Sequence, residues 1–122
     1  LSAYQNLELL AKLKKIISKE EICEVIQKVG LENDNKPVSK YSLGMKQRLG
    51  IAQAIMEHPD HLILDEFSNG LDEEGIKMIH SILRSEAQKG KLIVITSHHQ
   101  EDIVSLCDHV YRLKEGGLYN ET

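Results

Sequence analysis

The chain has 122 residues, with 15 basic against 19 acidic side chains, a formal net charge of −4, aromatics at 4% and no tryptophan. That length fits one domain with enough chain to bury a core, which must then rest on Leu, Ile and Val. The mild negative charge argues against a dedicated nucleic-acid binder, and no apolar run approaches the roughly 20 residues of a membrane-spanning helix.

The first element reads as a helix from Ser2 to Leu13, with Leu7, Leu10 and Leu13 on one face. Because the chain starts at Leu1 inside what already reads as helix, without a signal-peptide pattern, it is expected to be part of a longer protein. Ser18 and Glu21 form a capping box, after which Ile22, Val25, Ile26 and Val29 recur at helical spacing until Gly30 closes the helix. Residues 31–41 are polar and read as a loop. Ser42 can cap a third helix carrying Leu49, Ala52, Ile55 and Met56, which stops before Pro59. Cys23 and Cys107 lie far apart and read as free thiols of a reducing cytosol.

The pattern then changes. His61–Leu64 reads as a strand buried on both faces. Asp72 caps a helix with Ile76, Ile79, Leu83 and Ala87 on one stripe, and Leu92–Thr96 reads as a second buried strand. A short helix over 100–106, a strand over Val110–Leu113 and a hairpin turn at Gly116-Gly117 complete the chain. The division is a helical segment, 1–58, followed by an α/β segment, 59–122. Alternating strands and helices imply parallel pairing with right-handed crossovers.

Three groups of residues carry chemistry. The apolar run ends abruptly in Asp65-Glu66, at the carboxyl end of a strand, where open α/β sheets bind ligands. There Asp65 suits a hydrated Mg²⁺, which needs only one or two carboxylates besides phosphate oxygens. Glu66 suits the orientation or deprotonation of an attacking water. At Tyr41–Arg48, basic Lys46 and Arg48 follow a helix start whose dipole they oppose, and an anion bound by Ser42, the first backbone N–H groups and side-chain-free Gly44 would account for them. His98, after the second strand, is placed to hydrogen-bond a γ-phosphate. His58, His61, His80 and His109 read as loop, strand-edge or helix-surface residues, and metal binding by His98-His99 is disfavoured because neighbours on a turn rarely converge on one ion. A Gly-x-x-x-x-Gly-Lys-[Ser/Thr] loop is missing from the sequence; Gly90-Lys91 comes closest, but Leu92 follows it.

In this order and spacing the chain resembles the nucleotide-binding domain of ABC-type ATPases over nearly its whole length. Residues 2–7 look like the segment after the family's Q-loop, Tyr41–Arg48 is similar to the signature motif, His61–Glu66 to Walker B, Ser68–Asp72 to the D-loop and His98 to the switch histidine. Leu43 and Met45 depart from the signature's first glycine and its glutamine. Phe67 stands where a proline is usual, and Glu73 replaces the residue that often follows the D-loop Asp. The form of the signature looks most like that of exporter ATPases for peptide antibiotics and related drugs.

The resemblance implies a partial P-loop NTPase fold of class α/β, with mostly parallel strands plus an N-terminal helical subdomain. It implies an ATPase subunit on the cytoplasmic face of a membrane, with ATP and Mg²⁺ as cofactors and a transmembrane permease and a second nucleotide-binding domain as partners. Ser42 and Gly44 would contact ATP held by the opposite protomer, Asp72 would link the two sites, and Glu66 with His98 would be catalytic. Rival readings are a non-transport ABC ATPase, such as a translation factor or an SMC-like protein, and a non-catalytic interaction module. The P-loop strand would lie between the strands at 92–96 and 110–113. Without it, these strands are expected to pair directly or the chain to self-associate, and this stretch alone is expected not to hydrolyse ATP.

Overall fold

The computed structural model describes residues 1–14, 18–114 and 116–120. Helix α1 runs Ala3–Lys14. It opens with a reciprocal capping box: Gln5 N–H donates to Ser2 Oγ at 3.2 Å and Ser2 N–H to Gln5 Oε1 at 2.9 Å, satisfying donors that a helix start leaves free. Ala3 and Leu7 are buried; the side chain of Leu13 lies outside the described residues. Helix α2, Lys19–Lys28, is capped by Ser18 Oγ, which accepts from Glu21 N–H. It ends in a Schellman turn, with Gly30 at φ 79°, Gly30 N–H bonded to Gln27 O and Leu31 N–H to Ile26 O.

Helix α3, Leu43–Met56, is capped by Ser42 Oγ, which accepts from Met45 N–H at 3.2 Å. Its buried residues Leu49, Ile51, Ala52, Ile55 and Met56 lie on more than one stripe, as expected of a helix with neighbours on several sides. One apolar cluster runs from Ala3, Leu7 and Ile26 through Ile51 and Ile55 to Leu62, Leu64, Phe67, Ile79 and Leu83.

Strand β1 (His61–Asp65) pairs in parallel with β2 (Leu92–Thr96), His61 opposite Leu92 and Asp65 opposite Thr96. Helix α4, Glu73–Gln88, connects them; Asp72 Oδ1 caps it by accepting from Gly75 N–H at 2.7 Å. Its buried stripe is Gly75, Ile79, His80, Ile82, Leu83 and Glu86, while Ala87, expected on that stripe, is exposed. Glu86 is tolerated inside because three lysines surround it, Lys91 at 2.6 Å and Lys28 and Lys89 each at 3.6 Å. Burial pushes its carboxyl up, but these cations outweigh burial and hold it below the usual range. Helix α5 (Gln100–Leu106) leads to β3 (Tyr111–Lys114) and β4 (Gly117–Asn120), an antiparallel hairpin that turns through Gly116 at φ 78°.

Two expectations are corrected. The strands are buried on one face only: Leu62 and Leu64 point inward, whereas Ile63 is 77%, Leu92 58% and Val94 48% exposed. Their apolar composition reflects two apolar faces, of which this chain covers one. Nor do β2 and β3 pair directly; among the described residues the strands form two separate two-stranded sheets, β1-β2 and β3-β4. The local hairpin closes with a short turn, whereas a β2–β3 contact would have to bridge α5.

Candidate functional site

At the carboxyl ends of β1 and β2, backbone register fixes the first group of side chains. Asp65 lies opposite Thr96, and the Thr96 hydroxyl donates to Asp65 Oδ1. Glu66 N–H donates to Thr96 O at 2.9 Å and to Thr96 Oγ1 at 3.2 Å. The chain then turns sharply, with Glu66 at φ 51°, a left-handed conformation that costs a non-glycine residue about 1 kcal/mol and recurs at functional sites. The turn carries the Glu66 carboxylate towards the β2 end, where Oε1 lies 3.1 Å from His98 Nε2. Among the described residues Glu66 Oε2 is buried without a hydrogen-bond partner, although the His98 side chain is 92% exposed. Asp65, Glu66 and His98 thus form one cluster. Gln47 of α3 supports it, donating from Nε2 to Glu66 O at 3.0 Å.

Ser42, Gly44 and Asp72 form a second group, lining an open groove of about 500 Å³ with Gly30, Tyr41, Arg48 and Gly70. Gly44 is small because Gly70 O packs against it: a Cβ there would lie 2.6 Å from that oxygen. Gly70, at φ 81°, packs in turn on Leu43. Arg48 does not need a bound anion to account for it. It donates to Val29 O at 3.1 Å, at the carbonyl-rich end of α2 where a cation is favoured, and lies 4.0 Å from Asp72 Oδ1. The second group does not line the cluster of Asp65, Glu66 and His98.

A third arrangement escaped the sequence reading. Asp102 of α5 is fully buried. Its Oδ2 accepts from Ser68 Oγ at 2.6 Å and Ser97 Oγ at 2.7 Å, and Oδ1 accepts from His80 Nε2 at 2.6 Å. Burial raises the Asp102 pKa, but the three hydrogen bonds prevail and hold the carboxyl below its ordinary range. His80 is therefore a buried residue, not a helix-surface one. Its position four residues after Ile76 and three before Leu83, on the apolar stripe, was the available signal. Gln47 carried no such signal, because its partner is a backbone carbonyl of a distant turn.

Known proteins share this arrangement of sequence. The family described as ABC transporter matches residues 1–69. The chain is 55% identical over 117 residues to the uncharacterized ABC transporter ATP-binding protein YybJ of Bacillus subtilis (strain 168), covering 95% of this chain and 54% of that protein. It is 46% identical to the bacitracin transport ATP-binding protein BcrA of Bacillus licheniformis, over 99% of this chain and 40% of BcrA. The chain thus spans about half the length of these relatives. Its fold matches that of the ATP-binding cassette MJ0796, solved as a dimer in a post-hydrolysis state bound to ADP and Pi, with a TM-score of 0.82 and 24% identity over all of this chain and 55% of that one.

Proposed function

The chain belongs to the ABC transporter family, and from that premise we propose that it is the signature, Walker B, D-loop and switch-histidine portion of an ATP-hydrolysing subunit that drives export across a membrane. The observation that carries the proposal is the convergence of Asp65, Glu66 and His98 at the ends of two parallel strands, with Glu66 and His98 3.1 Å apart. A carboxylate at the end of a parallel strand with an imidazole nitrogen 3.1 Å away suits a general base.

Glu66 would orient and deprotonate the attacking water. His98, holding Glu66 Oε1, would present its ring to the γ-phosphate of ATP. Asp65 offers an exposed carboxylate, a hard oxygen donor that fits Mg²⁺; when bound, the ion would neutralise charge on the phosphates. Ser42, Gly44 and Asp72 lie in a separate groove, which supports their service to an ATP molecule held mainly by a second copy. The N-terminus of α3, where Ser42 Oγ already accepts from Met45 N–H, would offer its remaining first-turn N–H groups to that phosphate.

The whole protein would lie on the cytoplasmic face of the membrane, bound to a transmembrane permease. Among the described residues no helix is long and apolar enough to cross a membrane. Similarity to BcrA, a bacitracin transport protein, favours a peptide antibiotic or related drug as cargo. The test is ATP hydrolysis by the full-length protein with Glu66→Gln: a fall of at least about 100-fold with nucleotide binding retained is expected, and an unchanged rate would refute the assignment.

A further inference from the structure

Asp102 holds together the two loops that carry the proposed hydrolytic pair. Ser68 stands two residues after Glu66 and Ser97 immediately before His98. Both hydroxyls donate to the same buried carboxylate oxygen, at 2.6 and 2.7 Å. Ser97 Oγ also accepts from His99 N–H at 2.9 Å, and His99 Nε2 donates to Asn69 Oδ1 at 3.1 Å, which adds a second tie between the same two loops. His80 fixes the other carboxylate oxygen from α4. His98 itself is 92% exposed, with Nε2 3.1 Å from Glu66 Oε1, so packing does not set its position. The loop beneath it does.

We propose that Asp102 is a positioning residue for hydrolysis, acting through Ser97 and Ser68 to hold His98 against Glu66 and to link the 68–72 turn to the histidine loop. Resting on the reading of Glu66 and His98 as the hydrolytic pair, it adds a determinant that touches neither water nor phosphate. A carboxylate suits the task because it accepts from two hydroxyls and an imidazole at once. Asparagine keeps one acceptor oxygen but loses the charge and replaces the other acceptor with an amide that donates, so it keeps the His80 bond only if the imidazole changes tautomer.

The test is a double-mutant cycle on the full-length protein with Asp102→Asn, His98→Ala and both, reading kcat, KM and melting temperature, with the ¹⁵N imidazole signal of His98 recorded without nucleotide. Asp102→Asn should lower kcat by about 10- to 100-fold, as a misplaced catalytic group does, with KM little changed. In the His98→Ala background it should change kcat by less than about twofold, and Ser97→Ala should reproduce part of the loss. Equal losses in both backgrounds, tracking the melting temperature, would reduce Asp102 to a structural residue and overturn the proposal. The imidazole signal separates this question from the assignment of hydrolysis. Loss of the His98–Glu66 contact in folded Asp102→Asn supports positioning even where His98→Ala leaves the rate intact. An unchanged His98 signal overturns it at any rate of hydrolysis.

Discussion

The side-chain amide of Gln47 donates to the main-chain carbonyl of Glu66 across 3.0 Å. This bond ties the first turns of α3 to a glutamate held at φ 51°. Helix α3 begins at Ser42, in the groove, and Gln47 reaches the strand end, so one helix supports both groups of site residues. Replacing Gln47 with Ala should lower stability by about 1 kcal/mol, the usual net value of one such bond, and reduce hydrolysis in the full-length protein. Urea unfolding and kcat measure the two effects; a wild-type rate would show that the turn holds without Gln47.

Gly44 and Gly50 sit in the same helix and should respond oppositely to alanine. A Cβ at Gly44 would lie 2.6 Å from Gly70 O, a backbone atom, whereas a Cβ at Gly50 meets nothing within 4 Å. Gly44→Ala is expected to destabilise by about 1–3 kcal/mol through forced separation of α3 from the 68–72 turn. Gly50→Ala should stabilise by about 0.5–1 kcal/mol through helix propensity. Thermal melts of both variants decide it.

Asp102 gives acid sensitivity a definite sign. Its folded pKa lies below the ordinary value, so its contribution to stability is present above that value and is lost as pH falls through the folded pKa. Glu86 shifts in the same direction, so the effect must be isolated by difference. The gap in melting temperature between wild type and Asp102→Asn should stay constant from about pH 7 to 5 and shrink below about pH 4. A gap that widens in acid would contradict the assignment.

The open face of β1 and β2 should make the 122-residue chain sticky on its own. Ile63, Val94 and Leu92 are exposed together on one face of paired strands, and an exposed apolar patch invites burial against another chain. We expect self-association by light scattering that weakens in Ile63→Ser, while stability changes by no more than about 0.5 kcal/mol because the side chain is already exposed. A strictly monomeric wild-type chain would contradict this.

Local chemistry was the most legible part of the sequence. Ser18, Ser42 and Asp72 cap helices as their sequence contexts indicate, because a cap depends on three or four neighbouring residues. Asp65, Glu66 and His98 were recoverable as a cluster because strand ends in a parallel sheet lie side by side. The exposure of Ile63 and Val94 was not legible, since composition reports what a face can bury and not whether this chain supplies the cover. The Asp102 network was hidden for another reason. Its members are 5 to 34 residues apart, and Ser, His and Asp each have commoner solvated roles.

The central claim is that the groove residues of one copy complete the acid cluster of another. Mixed dimers of the full-length protein, one protomer carrying Ser42→Arg and the other Glu66→Gln, test it most directly. Each variant alone should be inactive. An equimolar mixture should regain roughly a quarter of wild-type hydrolysis, because half the dimers are mixed and each then holds one intact site of two. If both groups served the same nucleotide within one chain, every site would carry a defect, and mixing would restore nothing.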